Sequence, residues 1–123
     1  MVVFIPFERT YGPCSSDMIF REFYLLKETF ERSGIPSSAH EFENGPGIEQ
    51  ISASATYKRK FNSHIYLEAE VWTRSGAGRV LLGLQCSSKE RIPPQQVASL
   101  ELIAKEHGLS PCEVIVKDAN LAH

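Results

Sequence analysis

The stretch Ile65-Tyr66-Leu67-Glu68-Ala69-Glu70-Val71-Trp72 decides the fold. Its apolar members Ile65, Leu67, Ala69 and Val71 alternate with Tyr66, Glu68, Glu70 and Trp72. Successive side chains of a strand point to opposite faces, so the apolar row is core and the other row faces outward. The turn-rich Arg74-Ser75-Gly76-Ala77-Gly78 follows, and Val80, Leu82, Leu84 and Cys86 then resume an apolar row interleaved with Leu81, Gly83 and Gln85. These two segments are expected to form an antiparallel hairpin, with Gly83 marking close packing or a bulge.

Upstream, Ile51, Ala53, Ala55 and Tyr57 alternate with Ser52, Ser54 and Thr56, a half-buried strand pattern with small residues on both faces. From Met18 to Ser33, Ile19, Phe23, Leu26 and Phe30 recur at spacings of four and three and so share one face of a helix. Phe20, Tyr24 and Leu25 widen that stripe, Ser15, Ser16 or Asp17 offers a cap, and Gly34 with Pro36 ends the helix. Downstream, Pro93 or Pro94 suits a first helical turn, and Val97, Leu100, Ile103 and Ala104 form a second stripe that stops at Gly108. At the ends, Val2 to Phe7 reads as a short strand that Pro6 restricts to an edge strand or the end of one, with the terminal strands extending the edges of the sheet, and Cys112, Val114 and Val116 read as a last short strand. Pro36 to Gly47 is the least patterned region, with a short strand at His40 to Glu43.

The expected fold is a single α+β domain over residues 1–123, in the order β-α-β-β-β-α-β, with two helices on one face of a mainly antiparallel sheet of four to five strands. The 42% apolar content suffices for a core without metal or disulfide staples. Cys14, Cys86 and Cys112 are odd in number and lack a C-x-x-C spacing, so they imply neither a zinc site nor a disulfide framework. A reducing compartment such as the cytoplasm is the expectation. The apolar opening Met1 to Phe7 is short, has no basic leader and meets Pro6 too early for a signal-peptide core, and no apolar run is long enough to span a membrane.

No reaction can be read from the residues. His40, His64, His107 and His123 have no H-x-x-x-H pairing, and neither Gly45-Pro46-Gly47 nor Gly76-Ala77-Gly78 completes a phosphate-binding motif. The expectation is a non-enzymatic chain without cofactor or metal. Two basic clusters stand out instead: Lys58-Arg59-Lys60 before Phe61 and His64, joining two strands, and Lys89-Glu90-Arg91 ahead of the second helix, whose N-terminal N–H groups favour an anion.

Helix, three antiparallel strands and helix over residues 18–108, with a basic loop ending at His64 and Lys89 near the last helix, resembles a double-stranded RNA-binding domain. In that family the first helix and the first inter-strand loop enter minor grooves while cations at the last helix clamp phosphates. The resemblance implies contacts by Glu28, by His64 and by Lys89 with Arg91, and Lys58, Arg59 and Lys60 on the hairpin loop would add phosphate contacts. The net charge of -2 and the carboxylate of Glu90 make a second class equally open, a protein-interaction module acting as adaptor or inhibitor, with Tyr66, Glu68, Glu70 and Trp72 as its surface. The expected partner is therefore duplex RNA or a protein, a second copy of the chain included, and not a membrane.

Overall fold

The alternating segment forms a strand bonded along both of its edges, and the sheet extends outward from it. The computed structural model describes residues 2–13, 16–32, 37–44, 50–58, 63–86 and 94–117. Along the chain these form β1 (Val2–Tyr11), α1 (Ser16–Arg32), β2 (Ser37–Asn44), β3 (Gln50–Lys58), β4 (Ser63–Trp72), β5 (Gly78–Cys86), α2 (Pro94–Glu106), β6 (Ser110–Pro111) and β7 (Ile115–Lys117). The strands lie in the order β2-β3-β4-β5-β1-β6, β7 also pairs with β1, and every pair is antiparallel. The fold class is the expected α+β, with both helices on one face of an antiparallel sheet.

That face is the core. Ala53, Ala55 and Tyr57 of β3, Ile65, Leu67, Ala69 and Val71 of β4, and Val80, Leu82, Leu84 and Cys86 of β5 are buried against Ile19, Phe23, Leu26 and Phe30 of α1 and Leu100 and Ala104 of α2. Each of the large α1 side chains contributes about 2 kcal/mol by leaving water. Tyr57 ties β3 to α1: its hydroxyl donates to the Lys27 carbonyl at 3.3 Å, and its ring lies 5.2 Å from that of Phe30. Burial, helped by the charge of Glu31, pushes the Tyr57 hydroxyl up to about 12. Tyr24 and Leu25, expected in the stripe, are exposed instead, because α1 meets the sheet along a narrower line than the sequence pattern allowed.

Three further differences concern strands. The region expected to hold only a short strand at His40 to Glu43 carries β2 over Ser37–Asn44, with a register shift between His40 and Glu43. As the outermost strand beside β3 it is held by its backbone ladder, which leaves no side-chain periodicity to read. β1 is not an edge strand, since β5 flanks one side and β6 with β7 the other. Pro6 is accommodated because Cys112 N–H donates to its carbonyl at 3.0 Å, which places its missing N–H on the β6–β7 side, where the ladder is interrupted. Between the pairs Phe7–Pro111 and Phe4–Ile115, Ile5 and Pro6 face Cys112, Glu113 and Val114, so the expected last strand is split by a bulge of one extra residue.

α2 ends where expected. Gly108 takes a φ of 71°, Leu109 N–H donates to the Ala104 carbonyl at 2.8 Å, and Leu109 is buried. His107, in the same turn, bonds Glu22 of α1 through its Nδ1 and so fastens the end of one helix to the middle of the other. Cys14, the capping candidate Ser15, and the helix-stopping Gly34 and Pro36 lie outside the described residues. Among the described residues no helix is long and apolar enough to cross a membrane.

Candidate functional site

Neither helix lies on the opposite face of the sheet, which carries the even-numbered residues of β4. Registers place the side chains in rows across three strands: Glu68, Leu81 and Glu8; Glu70, Arg79 and Thr10; Tyr66, Gly83 and Pro6; His64, Gln85 and Phe4. A row pairs residues about 5 Å apart, and neighbouring rows on one face are close enough for long side chains to meet diagonally.

Arg79 is the hub. Its Nε donates to Glu70 Oε2 at 3.1 Å, its Nη1 lies 3.6 Å from Glu8 Oε2, and its Nη2 lies 4.0 Å from Glu68 Oε1. The Tyr66 hydroxyl donates to Glu68 Oε2 at 2.6 Å. Three carboxylates around one guanidinium cannot all ionise at no cost, and the two glutamates of β4 respond in opposite directions. Glu68 is pushed up, first by burial and then by its hydrogen bond with Glu70. Glu70 is pulled down, first by that bond from Glu68 and then, against its own burial, by Arg79. Burial works against the Arg79 charge, and Glu70, with Glu68 and Glu8 behind it, outweighs burial and holds the guanidinium up. Burial and the neighbouring Glu68 raise the Tyr66 hydroxyl above its ordinary range.

Apolar groups surround this network. Leu81 sits in its middle at 9% exposure although it faces away from the helices. Gly83 lets the Phe4 ring lie across β5, where a Cβ would overlap that ring. Phe4 continues into a groove that it lines with Val2, Gln85 and Ile115. A second groove runs beside the network between β1 and β6, lined by Glu8, Arg9, Thr10, Gly108, Ser110, Pro111 and Cys112. The Cys112 thiol is raised by burial and then by Glu8, which leaves it the less reactive protonated form. At the end of β4, Trp72 is 40% exposed. Among the described residues no group of three His, Cys, Asp or Glu side chains is arranged to hold a metal ion.

The structure gathers Tyr66, Glu68, Glu70 and Trp72 on this one face, as the alternation of β4 requires. His64 lies in the same row set. Glu28 does not: it is on the solvent side of α1, 2.5 Å from Arg32, beyond the helix-covered face of the sheet. Lys58 ends β3 opposite His64, and Ser63 pairs with Cys86, so the two basic connections leave from one end of the sheet. Arg59, Lys60, Lys89 and Arg91 themselves lie outside the described residues. Arg79, Glu8 and Leu81 complete the face and carry no motif that marks them in the sequence. For Arg79 a signal existed, since a hairpin turning at Thr73 to Ala77 sets Glu70 opposite Arg79.

No protein-family model matches this chain, and no curated protein matches its sequence. Among solved structures it is similar to a point-mutant form of the protein Mog1, at 11% identity and a TM-score of 0.35, over 94% of this chain and 69% of that one. It is also similar to the siderocalin Ex-FABP, a protein described as functioning through dual ligand specificities, at 10% identity and a TM-score of 0.32, over 96% and 94% of the two chains. Likeness at that level establishes no common family or activity.

Proposed function

We propose that this chain is a non-catalytic binding module that takes a protein partner on its helix-free sheet face, as an adaptor or an inhibitor. The observation that carries the reading is the composition of that face. Glu8, Glu68 and Glu70 converge on Arg79, with Leu81 beneath them and Trp72 exposed at the rim. Excess carboxylate repels a phosphate backbone, whereas tryptophan, tyrosine and arginine are the side chains enriched at protein interfaces. Two of the positions carried over from duplex-RNA binders, Glu28 and His64, lie on opposite sides of the sheet.

Titration with a duplex RNA at two salt concentrations tests the choice. The expected result is no binding at low salt. Binding with a steep salt dependence would replace the protein reading with phosphate contact by the two basic connections. In parallel, a photo-crosslinking residue at position 72 is expected to give a discrete adduct in source cells, and the same residue at position 28 is not. Equal labelling at both positions would remove the helix-free face from consideration.

A further inference from the structure

The helix-free face divides into two parts along its strands. Toward one end, Val2, Phe4, Gln85 and Ile115 line a largely apolar groove, and Ile115 is 44% exposed. Toward the middle, Glu8, Glu68 and Glu70 face the single guanidinium of Arg79. Phe4 and Glu8 lie four residues apart on one side of β1, a separation of about 13 Å that a short segment of a partner can span.

Arg79 does not serve its three carboxylates equally. Glu70 takes it in a two-pronged pair, from Nε at 3.1 Å and from Nη2 at 3.4 Å. Glu8 and Glu68 stand 3.6 and 4.0 Å away, distances that carry attraction but no hydrogen bond. Their other donors are neutral, the Cys112 thiol to Glu8 and the Tyr66 hydroxyl to Glu68, so the cluster keeps an excess of negative charge. The strand registers show on which side a second cation fits. Glu68, Leu81 and Glu8 form one row, and Arg79 stands in the row on one side of it. The row on the other side, Tyr66, Gly83 and Pro6, holds no charged residue and leads on to the groove. A cation arriving from there meets Glu8 and Glu68 away from Arg79, and the methylene stem of a lysine or arginine can lie along Leu81 and Phe4 while its head reaches the carboxylates.

We infer, building on the protein-binding reading of this face, that its partner docks a lysine or arginine at Glu8 and Glu68 and an apolar side chain in the groove beside Phe4. A segment of other chemistry fits worse. An acidic one adds like charge to the cluster, and a purely apolar one strips water from carboxylates and gives them no counter-charge.

Selection of phage-displayed random dodecapeptides on the immobilised full chain tests this. The enriched sequences are expected to carry a lysine or arginine near a leucine, isoleucine or phenylalanine. The best of them, synthesised with a fluorophore, is then titrated against the chain. Replacing its cation by glutamate leaves the protein untouched and is expected to weaken binding by about tenfold or more. Glu8→Gln with Glu68→Gln, shown to be folded by circular dichroism, is expected to do the same, and Ile115→Ser to weaken binding by about threefold. Acidic or uncharged winners, no enrichment, or an affinity indifferent to the charge changes or to Ile115→Ser would each overturn the inference. Such a result beside a discrete adduct at position 72 removes this partner chemistry alone, whereas equal labelling at positions 72 and 28 removes the face and the inference with it.

Discussion

The two faces of the sheet are made by the same strands and obey opposite rules. On the helix side, Ile65, Leu67, Ala69 and Val71 pack into one apolar cluster, and their burial specifies how α1 and α2 sit. On the other side, Tyr66, Glu68 and Glu70 alternate with them residue by residue, yet their partners Arg79 and Glu8 come from other strands. The first face is held by area, which is non-directional and tolerant of detail. The other is held by directional bonds among charges, which contribute little to stability at partial exposure and much to what the surface can recognise.

The largest expected contrast is between neighbours in β4. Leu67→Asp puts a carboxylate among the α1 side chains and is expected to cost about 4 kcal/mol, enough to unfold a small domain in part or whole. Glu68→Leu, one residue along, is expected to leave a cooperative melt. Thermal unfolding of both variants checks the assignment of faces, and a folded Leu67→Asp would reverse it. Next in size is Gly83→Val, where the added side chain displaces the Phe4 ring from β5. A loss of about 2 kcal/mol in urea unfolding is expected, with Phe4→Ala in the same chain relieving part of it.

Legibility in the sequence followed the same division. The core face could be read almost completely, because β4, β5 and α1 each bury a strictly periodic row that needs no knowledge of its neighbours. β2 was legible only over His40 to Glu43, because an outermost strand is defined by backbone pairing and not by its side chains. The edge position expected for β1 was wrong because Pro6 signals a missing donor but not that the neighbouring strand breaks opposite it. Half of the candidate face was legible for the same reason as the core, since Tyr66, Glu68, Glu70 and Trp72 are the other half of one alternation. Glu8 was not, because its place beside Arg79 depends on β1 joining β5 across most of the chain, and no local pattern encodes that pairing.

A smaller effect separates the two glutamates of the open face. Glu70 titrates below its ordinary value when folded, so its contribution is present above the unfolded carboxylate pKa and is lost as pH falls through the folded one. Glu68 titrates above its ordinary value, so its contribution is present below the unfolded pKa and is lost as pH rises through the folded one. Glu68→Gln imitates the protonated form and is expected to match the unmodified chain near pH 4 and to melt higher than it at pH 7, by less than about 1 kcal/mol. Glu70→Gln is expected to melt lower at pH 7 and to lose most of that deficit in acid. Melting curves between those pH values that showed one sign for both variants would break the opposed shifts of the two glutamates.

The smallest stability effect is expected where the proposed function is largest. Trp72 is 40% exposed at the end of β4, with its ring outside the buried core, while its backbone closes the hairpin through bonds with Ala77 and Gly76 at 2.8 Å. Trp72→Ala keeps that backbone and removes a large exposed ring, so unfolding is expected to shift by no more than about 0.5 kcal/mol. A partly exposed tryptophan is the kind of group that anchors a partner, and its truncation at an interface typically costs about 2 kcal/mol or more of binding. Affinity for the cross-linked partner, once that partner is purified, is therefore expected to fall by about thirtyfold while the melt is unchanged. If the melt drops and the affinity does not, Trp72 belongs to the fold, and recognition lies elsewhere on the molecule.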